Sequence, residues 1–114
     1  MKVGVFLNTP AQVHFYKNII KSLSNNGNEV YPLARDYGET IQLLGELGID
    51  HYVYARPKVS KYGKIAGLPK DVLCAYNYLK SLHVDLVTGF GVYDAYTSFL
   101  LRVPSIIFND SEPL

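Results

Sequence analysis

The 114-residue chain carries a single cysteine, Cys74, so no disulfide forms within it, and a thiol flanked by apolar residues in a helical pattern reads as a buried structural thiol in a reducing compartment. No apolar run is long enough to cross a bilayer. The N-terminus passes straight into a strand-like segment without an apolar stretch ending in a small-residue cleavage site, so the chain is expected to be cytoplasmic. Charge of one sign is not in excess either: the formal net charge is +1, which gives no global field for binding DNA or RNA. Phosphate fingerprints are missing as well. There is no G-x-x-x-x-G-K-[ST] loop, and the turn after the first strand has no glycine where G-x-G-x-x-G would bring backbone amides to a pyrophosphate. Neither NAD nor ATP is expected through these routes, and no cofactor is assigned.

What is present is an ordinary globular composition, 48% hydrophobic and 18% charged, sized for one domain. Residues 2–7, KVGVFL, form a β-branched, apolar run of the kind buried on both faces of a parallel sheet. Over residues 11–25, Val13, Tyr16, Ile19, Ile20 and Leu23 recur at helical spacing, and Asn26, Gly27 and Asn28 suit a left-handed stop. A second strand is expected over 29–34. Asp36 is placed to cap a helix with Ile41, Leu43, Leu44 and Leu47 on its apolar face, ending at Gly48.

A third strand is expected over 50–55. Residues 56–70 hold Pro57, Pro69, Gly63, Gly67 and five basic residues, a composition that signals an exposed loop. A helix over 69–82 leads to strand four at 85–88, a helix over 93–101 follows, and strand five covers 105–108. Strands alternating with helices imply right-handed crossovers. The fold class is therefore α/β, a three-layer Rossmann-like parallel sheet of about five strands in the order 3-2-1-4-5, filling the single domain 1–114.

Ligands of such sheets sit beyond the C-terminal strand ends where the order reverses, between strands one and four. Four turns lie there: Asn8, Thr9 and Pro10 with His14; Arg35, Asp36 and Tyr37; Gly89, Phe90 and Gly91; and Asn109, Asp110, Ser111 and Glu112. Gly89 and Gly91 either relieve crowding where the strand turns into a helix or give a ligand access to the backbone. His14 falls in the first turns of its helix, a placement suited to an imidazole acting as base or donor, although packing or plain exposure is the commoner fate of a lone histidine. Asp110 and Glu112 are either an acid–base pair or solvated carboxylates at a chain end. His51 and His83 lie beside strand starts without a second ligand at metal spacing, so no metal site is expected.

Arg56, Lys58, Lys61, Lys64 and Lys70 interleave with Val59, Tyr62, Ile65 and Leu68, a mixture that suits either an anionic membrane surface or a solvated loop.

The segments LNTPAQVHFYKNIIKSLSNNGNEV, ARDYGET, LGELGIDH, VDLVTGFG and VPSIIFNDSE resemble the start of the prokaryotic domain-of-unknown-function family DUF354, whose members are similar to GT-B glycosyltransferases and UDP-N-acetylglucosamine 2-epimerases. The order of elements also resembles the N-terminal half of the UDP-GlcNAc transferase that makes the last lipid intermediate of peptidoglycan. That resemblance makes His14 a candidate acceptor-site or catalytic group, matches residues 89–91 to a second glycine-containing turn and matches Glu112 to an acidic residue after strand five. It implies an acceptor-side half that needs a separate donor-binding half, and split enzymes of this kind occur, as in the dolichol pathway. The side of strand five is then expected to be exposed and apolar, open to that half or to a second copy. Two other readings stand beside it: a non-enzymatic binding module or truncated remnant, and a flavodoxin-like protein, against which the lack of a phosphate-cradling first turn argues.

Overall fold

The computed structural model describes residues 1–36, 38–55 and 61–108, the side chains of 61–68 excepted. Strands and helices alternate as β1 (Lys2–Leu7), α1 (Pro10–Asn25), β2 (Glu29–Arg35), α2 (Gly38–Glu46), β3 (Tyr52–Ala55), α3 (Lys61–Leu82), β4 (Leu86–Gly89), α4 (Tyr93–Leu101) and β5 (Ser105–Ile107). All pairings are parallel, in the order β3-β2-β1-β4-β5.

The alternation of β1 builds two cores from one strand. Val3, Val5 and Leu7 join Val13 and Tyr16 of α1 and Leu44 of α2, whereas Phe6 points the other way into Leu33, Tyr54, Val87 and α3's Ala75 and Leu79. Helices thus cover both faces of the sheet, as a parallel sheet requires. α1 stops as its sequence suggests: Gly27 takes φ +86, and the side-chain amides of Asn26 and Asn28 donate to the carbonyls of Ser22 and Leu23 at 2.9 and 3.1 Å.

Four expectations need correction. The largest concerns residues 61–68, expected as loop, which form the first turns of α3 with Pro69 inside the helix. Glycine and proline weaken a helix interior, but Tyr62, Ile65, Leu68 and Val72 repeat every three or four residues, and that periodicity outweighed composition. α2 begins at Gly38, so Asp36 lies before the cap position, and Leu47 falls past the helix end at 42% exposure. β3 starts at Tyr52, not at residue 50. Cys74 is only half-buried, its Sγ 3.4 Å from the Tyr52 hydroxyl. No helix among the described residues is long and apolar enough to cross a membrane.

Candidate functional site

Because all five strands run the same way, the turns after β1, β2 and β4 open on one edge of the sheet, and side chains tie them together. The Tyr54 hydroxyl at the end of β3 donates to Asn8 Oδ1 at 2.5 Å, its ring meets Tyr93 edge-on at 5.6 Å, and the Arg35 guanidinium lies 5.0 Å over that same Tyr93 ring. One chain of contacts therefore runs Asn8, Tyr54, Tyr93, Arg35. Burial pushes the Tyr54 hydroxyl well above its ordinary pKa against the opposing pull of the Arg35 charge, so the phenol stays a neutral donor.

The first turn is organised by its own side chains. Thr9 is the N-cap of α1: its hydroxyl accepts the Gln12 amide at 3.3 Å, while Gln12 Oε1 reaches back to the Asn8 amide at 2.9 Å and Pro10 occupies the first helical position. His14 is exposed on α1 and its Nδ1 lies 3.4 Å from Lys17 Nζ. An ammonium only donates, so in this contact Nδ1 accepts and a neutral ring carries its proton on Nε2. Towards any acceptor the ring then offers a donor.

The turn after β4 shows why its glycines are there. A Cβ on Gly89 would lie 2.6 Å from Asp94 Cγ and 2.9 Å from its Oδ2, so the missing side chain makes room for a carboxyl group. Gly91 has open space around it and φ +118, so there the requirement is conformational. Asp94, fully buried at the start of α4, accepts the Gly91 amide through Oδ1 at 2.9 Å, and its buried Oδ2 has no hydrogen-bond partner. Burial raises its pKa, and the nearby amides of Asp94 itself, Gly91 and Ala95 work in the other direction. Val92, which follows Gly91 and is the N-cap residue of α4, adopts φ 55 and ψ −85, a conformation rarely taken by a β-branched residue.

A third network crosses the sheet. Thr88 Oγ1 gives its proton to the Ile106 carbonyl at 2.8 Å, so the Tyr16 hydroxyl, 2.8 Å away, donates to Thr88. Burial pushes the Tyr16 phenol up to about 12. Asp36 is half-buried and its amide bonds the Ala55 carbonyl at 2.7 Å.

Of the residues singled out in the sequence, Asn8, Arg35 and the 89–91 turn are thus brought to one edge, with Thr9 and Pro10 forming the helix start beside them. Tyr37, Asn109, Asp110, Glu112 and Lys58 lie outside the described residues; Lys61 and Lys64 sit in the first turns of α3, their side chains outside the description. Tyr54, Tyr93 and Asp94 were not singled out. The tyrosines read as ordinary core, whereas Asp94 carried a signal, an acid in the first turn of a helix just after G-x-G. Among the described residues no group of His, Cys, Asp or Glu is arranged to hold a metal ion.

No family model matches the chain, and no curated protein matches it. Solved structures do. MurG of Acinetobacter baumannii aligns with a TM-score of 0.76 and 26% identity over 93% of this chain and 33% of its own. The UDP-GlcNAc 2-epimerase of Neisseria meningitidis, solved bound to UDP-GlcNAc, gives 0.71 and 16% over 92% and 31%. The glycosyltransferase SnogD of Streptomyces nogalater gives 0.69 and 17% over 96% and 33%. The architecture is GT-B-like. The chain spans about a third of the length of these structures, and it resembles that part of a GT-B glycosyltransferase or epimerase.

Proposed function

We propose that this chain is the acceptor-side part of a GT-B-like protein that transfers a hexosyl group from a nucleotide sugar or otherwise processes one, and that it is inactive without a donor-binding half. The observation that carries this reading is the 26% identity to MurG of Acinetobacter baumannii over 93% of the chain, in a fold that spans only a third of that protein. The narrower relationship to DUF354 belongs to the same reading and rests on the sequence segments quoted above. Asn8, Arg35 and the 89–91 turn face the acceptor, and His14 contributes a donor or, if Lys17 moves away, a base. Asn109, Asp110, Glu112 and Tyr37 are carried as further candidates by sequence alone. The basic residues Lys58, Lys61 and Lys64 are proposed to touch an anionic membrane surface from the cytoplasmic side.

Chemically, a GT-B-like transfer needs an acceptor hydroxyl held against the anomeric carbon of a donor on the other half. The acceptor oxygen bonds that carbon as the sugar–phosphate bond breaks, the nucleoside diphosphate departs on the donor half, and the acceptor's proton passes to a base, the role proposed for His14; this chain supplies orientation and hydrogen bonds on the acceptor side.

The test is to express whatever donor-binding half is encoded with this chain, in frame or in a neighbouring gene, and to follow UDP release from UDP-GlcNAc and other nucleotide sugars. Turnover is expected from the reconstituted protein and not from this chain alone. In that assay His14→Ala is expected to abolish turnover while leaving the melting temperature unchanged; full turnover by the variant removes His14 from the mechanism.

A second reading, a non-enzymatic interaction module, is favoured by one feature, the apolar surface around α4 and β5. Phe99, Tyr96 and Leu100 of α4 and Ile106 and Ile107 of β5 are all exposed, and an apolar cavity of about 490 Å³ lies between α3 and α4. Concentration-dependent association without any nucleotide-sugar response would favour that reading.

A further inference from the structure

Tyr54 lies in β3 with almost none of its surface exposed, and among the described residues its hydroxyl has one hydrogen-bond partner, Asn8 Oδ1 at 2.5 Å. A buried phenol needs an acceptor for its proton, and the Asn8 carboxamide oxygen is the one within reach. That fixes the amide's orientation: were its oxygen and nitrogen exchanged, the phenol proton would meet no acceptor among the described residues. With Oδ1 held by Tyr54, Nδ2 is turned the other way. It donates to nothing among the described residues and is not buried, so its protons face solvent at the end of β1.

The turn itself makes no use of that group. Thr9 and Gln12 already cap α1, and the Asn8 backbone amide is held by Gln12 Oε1 at 2.9 Å. Asn8 is thus a half-buried residue fixed at two points, with an outward donor left over. What this donor can meet is set by its neighbours. The charges of Arg35 and Asp71 act on the Tyr54 hydroxyl in opposite directions, and the Asp36 amide is bonded to the Ala55 carbonyl at the end of β3. Arg35 against Asp36 and Asp71 leaves these strand ends no excess of positive charge to attract an anion, whereas a hydroxyl accepts from a neutral amide without one.

We propose that Tyr54 is a positioning residue, which holds the Asn8 carboxamide so that Nδ2 donates to a hydroxyl oxygen of the acceptor molecule. The inference rests on reading the chain as the acceptor side of a GT-B-like protein. The oxygen so bound is not the one that reacts, because a donor on the attacking lone pair would blunt it. Asn8 orients the acceptor through a neighbouring hydroxyl, and Tyr54 removes the amide's freedom beforehand.

The experiment is NMR relaxation of the Asn8 side-chain amide in the full chain, followed by titration with methyl β-glucoside as a hydroxyl-bearing probe. In the wild type the Asn8 Nδ2 group is expected to be as ordered as the backbone around it and to shift saturably with the probe. Tyr54→Phe keeps the ring contacts with Phe6 at 5.1 Å and Tyr93 at 5.6 Å, so the backbone signal of Asn8 is expected to stay in place. Its side-chain amide is expected to become as mobile as that of the exposed Asn25, and the probe to bind about tenfold more weakly. Asn8→Asp keeps an oxygen for the Tyr54 proton but has no N–H to donate; it is expected to lose the same factor, and adding Tyr54→Phe to it to lose no more. If Tyr54→Phe does not fold, the wild-type amide and Asn8→Asp decide. A wild-type Asn8 amide as mobile as that of Asn25, an amide still ordered in Tyr54→Phe, a probe that shifts no Asn8 signal, or a variant that binds the probe as the wild type does each overturns the proposal. None of these readings needs the donor half. Failure of the reconstituted protein to turn over strikes the glycosyltransferase reading and leaves the Asn8 measurements standing, whereas a probe that bypasses Asn8 strikes this proposal and leaves turnover untouched.

Discussion

β1 and β5 belong to the same parallel sheet, yet they lie at opposite extremes of burial. β1 is paired on both edges and buried in five of its six residues, whereas among the described residues β5 pairs only with β4 and all three of its residues are exposed. The same contrast holds for the helices: Val13 and Tyr16 of α1 are fully buried, while Phe99 of α4 is 79% exposed. The β1 side carries enough contacts to define its own geometry. The β5 side has the composition of a core, Ser-Ile-Ile followed by Phe, without the cover of one. Hydrophobic patterning thus specifies a strand's place in a sheet, but not whether both its faces are filled within a given stretch of chain.

The largest effect is expected in the centre of the sheet. Phe6→Ala removes a fully buried ring from the core beneath α3 and should cost about 3–5 kcal/mol in urea unfolding; a loss below ~1 kcal/mol would mean that the centre of the sheet is as loosely covered as its edge. Next comes Gly89→Ala, whose Cβ would crowd the Asp94 carboxyl group. A cost of about 1–3 kcal/mol is expected, and a double-mutant cycle with Asp94→Ala should show that removing the carboxyl restores part of it. Simple additivity would show that the glycine serves something other than Asp94.

Tyr16→Phe removes one buried hydrogen bond to Thr88, which keeps its bond to the Ile106 carbonyl, and should cost about 1 kcal/mol. Its pH signature is more specific. The folded-state pKa of Tyr16 is about 12 against the ordinary 10.0, so its contribution is fully present below pH 10 and is lost as the pH rises from 10 to 12, because the unfolded chain gives up its proton first. Stability measured through that window should fall less steeply in Tyr16→Phe than in the wild type, the remainder coming from Tyr54, Tyr31, Tyr52 and Tyr78, whose pKa values are raised in the same direction. The smallest effect is expected at the edge. Ile107→Ser should change stability by no more than ~0.5 kcal/mol while weakening any association through the β5 side in sedimentation equilibrium; a large loss of stability would show that the edge is already covered.

Much of the fold is legible residue by residue. KVGVFL places a central strand because its apolar residues need cover on both faces, and Asn26-Gly27-Asn28 stops α1 with the side chains and the φ its composition suggests. The start of α3 was obscured because glycine, proline and lysine content outweighed, on reading, a helical period that was present all along. Position in the topology placed Asn8, Arg35 and the 89–91 turn at one edge of the sheet, since strand ends follow from strand order. What these residues touch did not follow. Tyr54 reaches Asn8 across 46 positions and Tyr16 reaches Thr88 across 72, distances along the chain at which no local pattern couples side chains.

The alternation of strands and helices, the parallel order 3-2-1-4-5, the stop of α1 and the lack of a glycine-rich first turn are written locally in the chain, because each follows from short-range periodicity, turn chemistry and crossover handedness. That Gly89 makes room for Asp94, that internal side chains hold the β1 and β4 turns and that β5 lies exposed are set by the folded arrangement. Those outcomes depend on which groups meet once the sheet has formed, and close packing and burial, not local propensity, set them.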